Sequence, residues 1–144
     1  MSHSYAQNHI HLVFSTKERR KTIPKEMQQR LWRYAAAICQ ENGMLVHEIG
    51  GMDDHIHILL QLPATLALAK AVLVIKAYSS KWMGRKFAWQ KGYAAFSVST
   101  SNLLAVKKYI QNQEHHHKKM DFDQEFVALL KKHGMEYDPK YVFG

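Results

Sequence analysis

A chain of 144 residues with 47% apolar residues is expected to form one domain, residues 1–144, around one core. Its longest apolar stretch, residues 66–75, is interrupted by Lys70 and is too short to span a bilayer, and no secretion signal is recognisable, so we expect a cytoplasmic protein. The single cysteine, Cys39, excludes an intrachain disulfide and is expected to be a buried, unreactive thiol. The net charge of +8 favours a polyanionic partner such as nucleic acid.

Alternating and helical spacings of apolar residues predict eight elements. In chain order they are a strand over residues 8–15, a helix from Pro24 to Asn42-Gly43, strands over 44–49 and 55–62, a helix over 66–83, a strand over 93–99, a helix over 101–118 and a weaker helix over 122–133. Pro24 is a favoured first-turn residue, and Ser101 or Thr100 is the expected N-cap of the third helix. Gly50-Gly51 is expected to close the second strand.

This order matches the split βαβ, ferredoxin-like plan of the α+β class. Two helices would cover one face of a four-stranded antiparallel sheet, and the other face would stay open for a ligand. Since side chains alternate along a strand, the isoleucines of the strand over 55–62 would face the helices. His55 and His57 would face the open side.

His55 and His57 are a candidate pair of metal ligands, because residues i and i+2 of a strand share one face, about 6.6 Å apart. Neutral imidazole commonly binds divalent metals, and the preceding Asp53 and Asp54 could supply an orienting carboxylate. The alternative is that the pair is only polar surface on a half-exposed strand. His9 and His11 share the spacing and are a rival pair; without an acidic pair before them, they are expected instead to touch nucleic acid or only to cover the open face. His115, His116 and His117 are expected to form a solvated helix end.

Tyr109 and Gln113 lie one turn apart on the predicted third helix, beside its apolar stripe. Gln113 could offer a neutral oxygen to the same metal ion, and Tyr109 a nucleophile. Tyrosine has an unperturbed pKa near 10, so attack on phosphorus would need a divalent ion to offset the developing charge. Covalent attack conserves the energy of the broken bond, which suits breaking and rejoining of a strand better than hydrolysis. For a single tyrosine, the alternative is a boundary aromatic whose hydroxyl reaches water.

Basic residues cluster after the first strand and along or after the second helix, where aromatic residues interleave with them. Cations beside stacking platforms suit single-stranded nucleic acid, although a solvated face and ordinary core packing are the alternatives. The candidate DNA-binding residues are Lys17, Arg19, Arg20, Lys21, Lys76, Lys81, Arg85 and Lys86.

Taken together, the chain resembles the single-tyrosine HUH transposases of the insertion-sequence-two-hundred group, in which two histidines flank a hydrophobic residue. The matching stretches are HLVFSTKERR at 11–20, DHIHILL at 54–60, WQKGYAAFSVS at 89–99, YIQNQEHHHKK at 109–119 and the C-terminal LLKKHGMEYDPKYVFG. They occur in the family's order over nearly the whole chain.

The resemblance implies an enzyme in which Tyr109 is the nucleophile and His55, His57 and Gln113 bind Mg²⁺ or Mn²⁺. Such an enzyme cuts single-stranded DNA at element ends, keeps the 5′ end as phosphotyrosine and recognises hairpins. It also implies C-terminal helices that carry the nucleophile, and a homodimer whose subunits can share active sites. Such a protein would be bacterial or archaeal and would associate with the nucleoid when bound to DNA.

Two other functions remain open from the sequence. One is a ferredoxin-like nucleic-acid-binding module without catalysis, which the complete set of His55, His57, Tyr109 and Gln113 disfavours. The other is a related HUH nickase for replication or plasmid transfer, which the short chain disfavours.

Overall fold

The computed structural model describes residues 4–143. Within that range the elements are β1 (His9–Ser15), α1 (Lys25–Glu41), β2 (Leu45–Gly51), β3 (His55–Gln61), α2 (Leu68–Met83), β4 (Ala94–Val98), α3 (Leu103–Gln111), α4 (Gln113–His116) and α5 (Phe122–Lys132).

The four strands form one antiparallel sheet in the order β2-β3-β1-β4, which confirms the predicted ferredoxin-like arrangement. The two inner strands, β1 and β3, pair along their whole length, with Val13 opposite His57 and Ser15 opposite His55. The histidines of the third strand are therefore held at the centre of the sheet.

One face of the sheet packs against α1 and α2, as the alternating pattern predicts. Leu12 and Phe14 of β1 and Ile58 of β3 are completely buried there, together with Leu31 of α1 and Ile75 of α2. This layer is the main apolar core and gives the strands a rigid backing. Cys39 lies in the same layer, which confirms its predicted burial, and this burial raises the pKa of its thiol to about 12.

The prediction that the opposite face stays open is wrong. α5 packs Phe122, Phe126 and Leu130 against Val13 and Phe96 of the sheet and forms a second apolar cluster. Beside it, α3 packs against β2 and β3. His55 and His57 are consequently fully buried.

Two predicted boundaries also differ from the structure. β2 runs on through Gly50 and Gly51, which were expected to close it. The helix expected over 101–118 is interrupted at Asn112, whose backbone leaves the helical region, and neither Thr100 nor Ser101 caps it with a side chain. Asparagine competes for backbone hydrogen bonds and interrupts helices easily. Within residues 4–143 no helix has the length and hydropathy to cross a membrane.

The start of α5 is fixed by a capping box. Asp121 accepts a hydrogen bond from the Gln124 backbone N–H (2.8 Å), and the Gln124 side chain accepts one from the Asp121 backbone N–H (3.0 Å). The box sets where the helix begins and so which residues face the sheet.

Replacement of Asp121 by alanine removes the cap, and we expect Asp121→Ala to lower the free energy of unfolding by about 1 kcal/mol. Urea denaturation followed by circular dichroism measures the change. Glu136→Ala removes an exposed carboxylate with no hydrogen bond within residues 4–143 and should leave stability unchanged. Equal losses in both variants would contradict the capping role.

Candidate active site

The two histidines of β3 present the same ring nitrogen to the same place. His55 donates its Nδ1 hydrogen to Asp54 Oδ1 (2.7 Å), as the predicted orienting carboxylate requires. His57 Nδ1 hydrogen-bonds to His11 Nε2 (2.8 Å). With both Nδ1 atoms engaged, the Nε2 atoms of His55 and His57 point away from the sheet into a shared buried space.

The nucleophile candidate reaches this space because α3 lies directly on the backbone of β2. A Cβ atom at Gly50 would come within 2.7 Å of the Ile110 carbonyl oxygen, so glycine is required for this approach. Ile110 is buried in the contact. Its neighbour Tyr109 then stands over the sheet, with its ring centroid 5.8 Å from that of His57 and 6.1 Å from that of His11.

The interruption at Asn112 turns the next residue, Gln113, into the site. Gln113 Oε1 lies 2.8 Å from His55 Nε2, and its side-chain amide donates to Glu125 Oε2 (2.8 Å). Gln113 is almost completely buried. All four residues predicted for the chemistry are thus brought together within one chain.

Glu125, which the sequence analysis missed, is the centre of the arrangement. Its Oε2 accepts hydrogen bonds from the Tyr109 hydroxyl and from Gln113. Its Oε1 faces His57 Nε2 at 3.3 Å and His55 Nε2 at 3.4 Å. The signal available in the sequence was a carboxylate on the apolar face of α5, next to Phe126 and three residues after Phe122.

His117 is the second residue missed. Its Nε2 lies 3.0 Å from Glu125 Oε1 and 3.1 Å from Gln113 Oε1, and its side chain is only 8% exposed. The interpretation of all three histidines as a solvated helix end is therefore wrong for His117. It is also wrong for His116, whose ring lies 4.7 Å from that of Tyr109, whereas His115 is exposed as predicted.

The rival pair on β1 divides between two roles. His11 orients His57, as described above. His9 is buried and pairs instead with His47 of β2, its Nδ1 lying 3.2 Å from His47 Nε2. β1 thus contributes one residue to the site, His11, which acts through its hydrogen bond to His57 of the neighbouring strand β3.

The charges of the site follow from burial and from Glu125. Burial alone would raise the pKa of Glu125, but the hydrogen bonds from His117 and His57 outweigh it and hold that pKa well below its usual value. Burial and the Glu125 charge together raise the pKa of Tyr109 well above 10. The carboxylate is therefore ionised and the phenol keeps its proton.

The candidate DNA-binding residues fall into separate places. A pocket of about 240 Å³ brings together four of them, Lys17, Arg20, Arg85 and Lys86, beside Thr22 and Phe87. Lys21 lines a different cleft and Lys81 is exposed on α2.

The remaining two candidates are engaged within the chain. Arg19 pairs with Asp123 (2.9 Å) and lies over the Phe143 ring. Lys76 donates to the carbonyl oxygens of Gln90 (2.8 Å) and Gly92 (2.6 Å), and burial lowers its pKa to about 8. Two of the interleaved aromatics, Phe87 and Trp89, pack on one another at the core edge.

The sequence pattern of one known family, the IS200-like transposases, matches residues 4–113 of the chain. The chain belongs to the IS200-like transposase family. The matched segment contains His55, His57, Tyr109 and Gln113, whereas His117 and Glu125 lie beyond it.

Individual relatives agree with this assignment. The chain of this transposase is 25% identical over 125 residues to the transposase for insertion sequence element IS200 of Salmonella typhimurium, covering 78% of this chain and 81% of that protein. It is 26% identical over 120 residues to the ISDra2 transposase TnpA of Deinococcus radiodurans, covering 74% and 84%.

Solved structures show the same fold. A candidate transposase from Deinococcus radiodurans aligns with a TM-score of 0.64 and 22% identity over 78% of this chain and 95% of that one. The REP-associated tyrosine transposase bound to a REP hairpin aligns with a TM-score of 0.64 and 16% identity over 81% and 73%. The α+β architecture read from the sequence is therefore confirmed.

The buried histidines predict how the stability of this transposase depends on pH. Burial, and next the adjacent His57, lower the pKa of His11 well below 6.5 in the folded chain. As pH falls through 6.5 the unfolded chain takes up a proton that folded His11 does not, so this residue makes stability fall on acidification. His117 acts in the opposite sense, because hydrogen bonding to Glu125 outweighs burial and raises its pKa.

We therefore expect acidification to lower the free energy of unfolding less in His11→Gln than in the unsubstituted chain. Urea denaturation at pH values between 7.5 and 5, with a chelator in the buffer, measures the difference. His115→Gln, at an exposed site, serves as the control and should keep the full pH dependence. A parallel pH profile for His11→Gln and the unsubstituted chain would show that His11 titrates normally.

Proposed function

We propose that this transposase cleaves and rejoins single-stranded DNA through a covalent bond between Tyr109 and a 5′ phosphate, with the help of a divalent metal ion. The observation that carries the proposal is the meeting of one phenol, two imidazoles, one carboxamide and one carboxylate in a single buried site. Membership of a transposase family supports it.

The donor atoms fit a divalent ion. His55 Nε2, His57 Nε2 and a carboxylate oxygen of Glu125 lie within 4.8 Å of one another. Adjacent ligands of an octahedral ion with bonds of about 2.1 Å are about 3 Å apart, close to the 3.3 Å and 3.4 Å contacts of Glu125 Oε1 and the 2.8 Å contact of Gln113 Oε1. His55, His57, Gln113 and Glu125 would hold Mg²⁺ or Mn²⁺.

The hydrogen-bonding pattern around His55 also favours a cation at this site. Two acceptors face each other if His55 is neutral, because its Nδ1 proton is committed to Asp54 and its Nε2 then meets the Gln113 oxygen. A cation between these atoms removes the conflict. When bound, such an ion would polarise a phosphate oxygen and offset negative charge that develops during the reaction.

The chain's own residues would then carry the transfer. The Tyr109 oxygen attacks phosphorus and gives up its proton, which Glu125 Oε2 is placed to accept. The bond from phosphorus to the 3′ oxygen breaks, and that oxygen takes up a proton from water, so the leaving strand ends in a 3′ hydroxyl. The phenol proton already points at Glu125 Oε2, which also fixes the direction of the attacking oxygen. Attack by another 3′ hydroxyl on the phosphotyrosine reverses these steps and joins the strand to a new end.

Four cations around one pocket make it a candidate binding site for the DNA backbone. Lys17 and Arg20 come from the loop after β1, and Arg85 and Lys86 from the loop after α2. Phosphates of a hairpin stem would suit this pocket, and the hairpin bound to the REP-associated relative supports such a substrate. The protein would then act at the nucleoid.

A homodimer remains part of the proposal because it follows from the resemblance to the family. One chain already contains every proposed catalytic group, so a partner is not required to complete the site. Exchange of α3 between subunits would be an additional arrangement of the same groups.

The covalent step predicts a protein-linked DNA product. We expect the chain to give a slow-migrating band on a denaturing gel when mixed with Mg²⁺ and single-stranded oligonucleotides from palindromes that flank its gene. Tyr109→Phe removes the attacking oxygen and should abolish the band, whereas Tyr141→Phe, at an exposed tyrosine, should retain it. A band that survives Tyr109→Phe would exclude this residue as the nucleophile.

The metal site predicts stabilisation by metal without DNA. At about 100 times its Kd, Mn²⁺ should raise the Tm of the chain by roughly 5–10 °C, because it binds only the folded state. His55→Ala should lose the shift, Glu125→Gln should reduce it, and His115→Ala should keep it, as measured by differential scanning calorimetry. An undiminished shift in His55→Ala would place the ion elsewhere.

A further inference from the structure

A cleft of the described residues adjoins the proposed catalytic site. It lies between the first turns of α1 and the segment α3–α4, and residues 49–51 of β2 form its floor. Its volume is about 650 Å³, which is within the range of pockets that bind small organic groups. Gln113, which contacts His55, also lines the cleft, so a strand held at the site has this cleft beside it.

The cleft differs in chemistry from the basic pocket. Apolar side chains line part of it, among them Trp32, Ile49 and Ile110. Amide and carboxylate groups line much of the rest, among them Gln28, Gln29, Gln111, Glu48 and Asp53, together with Lys21 and with Lys25, which pairs with Glu114 (3.2 Å). Such a surface suits the flat face and hydrogen-bonding edge of a base better than a phosphate, because carboxylates repel phosphates and accept from amino groups.

Two of the polar side chains are available for a ligand. The side chains of Gln29 and Asp53 make no hydrogen bond to any residue in 4–143. By contrast, Gln111 donates to Glu48 (2.8 Å) and Gln28 donates to the Ile23 carbonyl (3.3 Å). An amide and a carboxylate at the cleft thus remain without a protein partner among the described residues.

We propose that this cleft binds the base of an unpaired nucleotide next to the scissile phosphate and selects bases with an exocyclic amino group. The proposal rests on the proposed function, since it needs a single strand at the catalytic site. A carboxylate accepts from the amino group of cytosine or adenine, and a glutamine amide can pair with adenine in two places. Thymine has no amino group, and its single N3–H lies between two carbonyl oxygens that repel a carboxylate, so it would pair less well with Asp53.

Binding of short oligonucleotides tests this selection. The full chain carrying Tyr109→Phe, which prevents strand cleavage, is titrated in Mg²⁺ against fluorescent dT10 and against dT10 with one central dA or dC. We expect the substituted oligonucleotides to bind about five to ten times more tightly than dT10, as measured by fluorescence anisotropy. The double variant Gln29→Ala/Asp53→Ala should lose this preference and keep its affinity for dT10.

Two further variants separate the cleft from other causes. Gln40→Ala removes an exposed glutamine of α1 outside the cleft and should keep the preference. Lys86→Ala, in the basic pocket, should weaken binding of all three oligonucleotides to the same degree and leave their ratio unchanged.

The results that would overturn the proposal are equal affinity for the three oligonucleotides, no measurable binding, or a preference that survives the double variant. Because this measurement needs no cleavage, its failure is distinguishable from failure of the phosphotyrosine mechanism. A protein-linked band without base preference would leave the mechanism and remove the base-binding cleft. Base preference without a protein-linked band would leave the base-binding cleft and remove the phosphotyrosine mechanism.

Discussion

One buried carboxylate, Glu125, holds the active-site region together. An ion removed from water costs several kcal/mol unless it is paired and fully hydrogen-bonded. Glu125 meets that condition because one of its oxygens accepts hydrogen bonds from Tyr109 and Gln113 and the other faces the ring nitrogens of His57 and His117. The docking of α5, the interruption at Asn112 and the orientation of the β3 histidines are therefore mutually dependent.

The same carboxylate governs the reactivity of the phenol. An anion beside a buried hydroxyl opposes loss of the phenol proton, and the raised pKa of Tyr109 expresses this. In the proposed reaction a cation held by His55, His57 and the near oxygen of Glu125 would draw that negative charge away from Tyr109. Metal binding and activation of the nucleophile would then be coupled through the two oxygens of one side chain.

The sequence predicts more of the fold than of the candidate site. Strands with alternating apolar residues, such as the one containing Ile56 and Ile58, can be predicted from the sequence, and so can the amphipathic helices. Each of these elements buries its own apolar face, and that face has a regular spacing in the sequence. α5 shows an apolar face as well, but its pattern does not say which sheet surface it covers, and the open face was predicted for that reason. Glu125 is 68 residues from His57 in the chain, so only the folded structure reveals that they meet.

The position of the nucleophile and its environment come from different parts of the chain. The backbone of α3 touches β2 at Gly50, and any side chain there would push Ile110 and Tyr109 away from the histidines. This contact lies within residues 4–113, the segment that matches the family. Glu125, whose negative charge raises the pKa of the phenol, follows that segment. Main-chain packing within the matched region therefore places Tyr109 over the sheet, whereas burial and Glu125 of α5 raise the pKa of its phenol, so a change at Glu125 can alter reactivity while the contact between Gly50 and Ile110 remains.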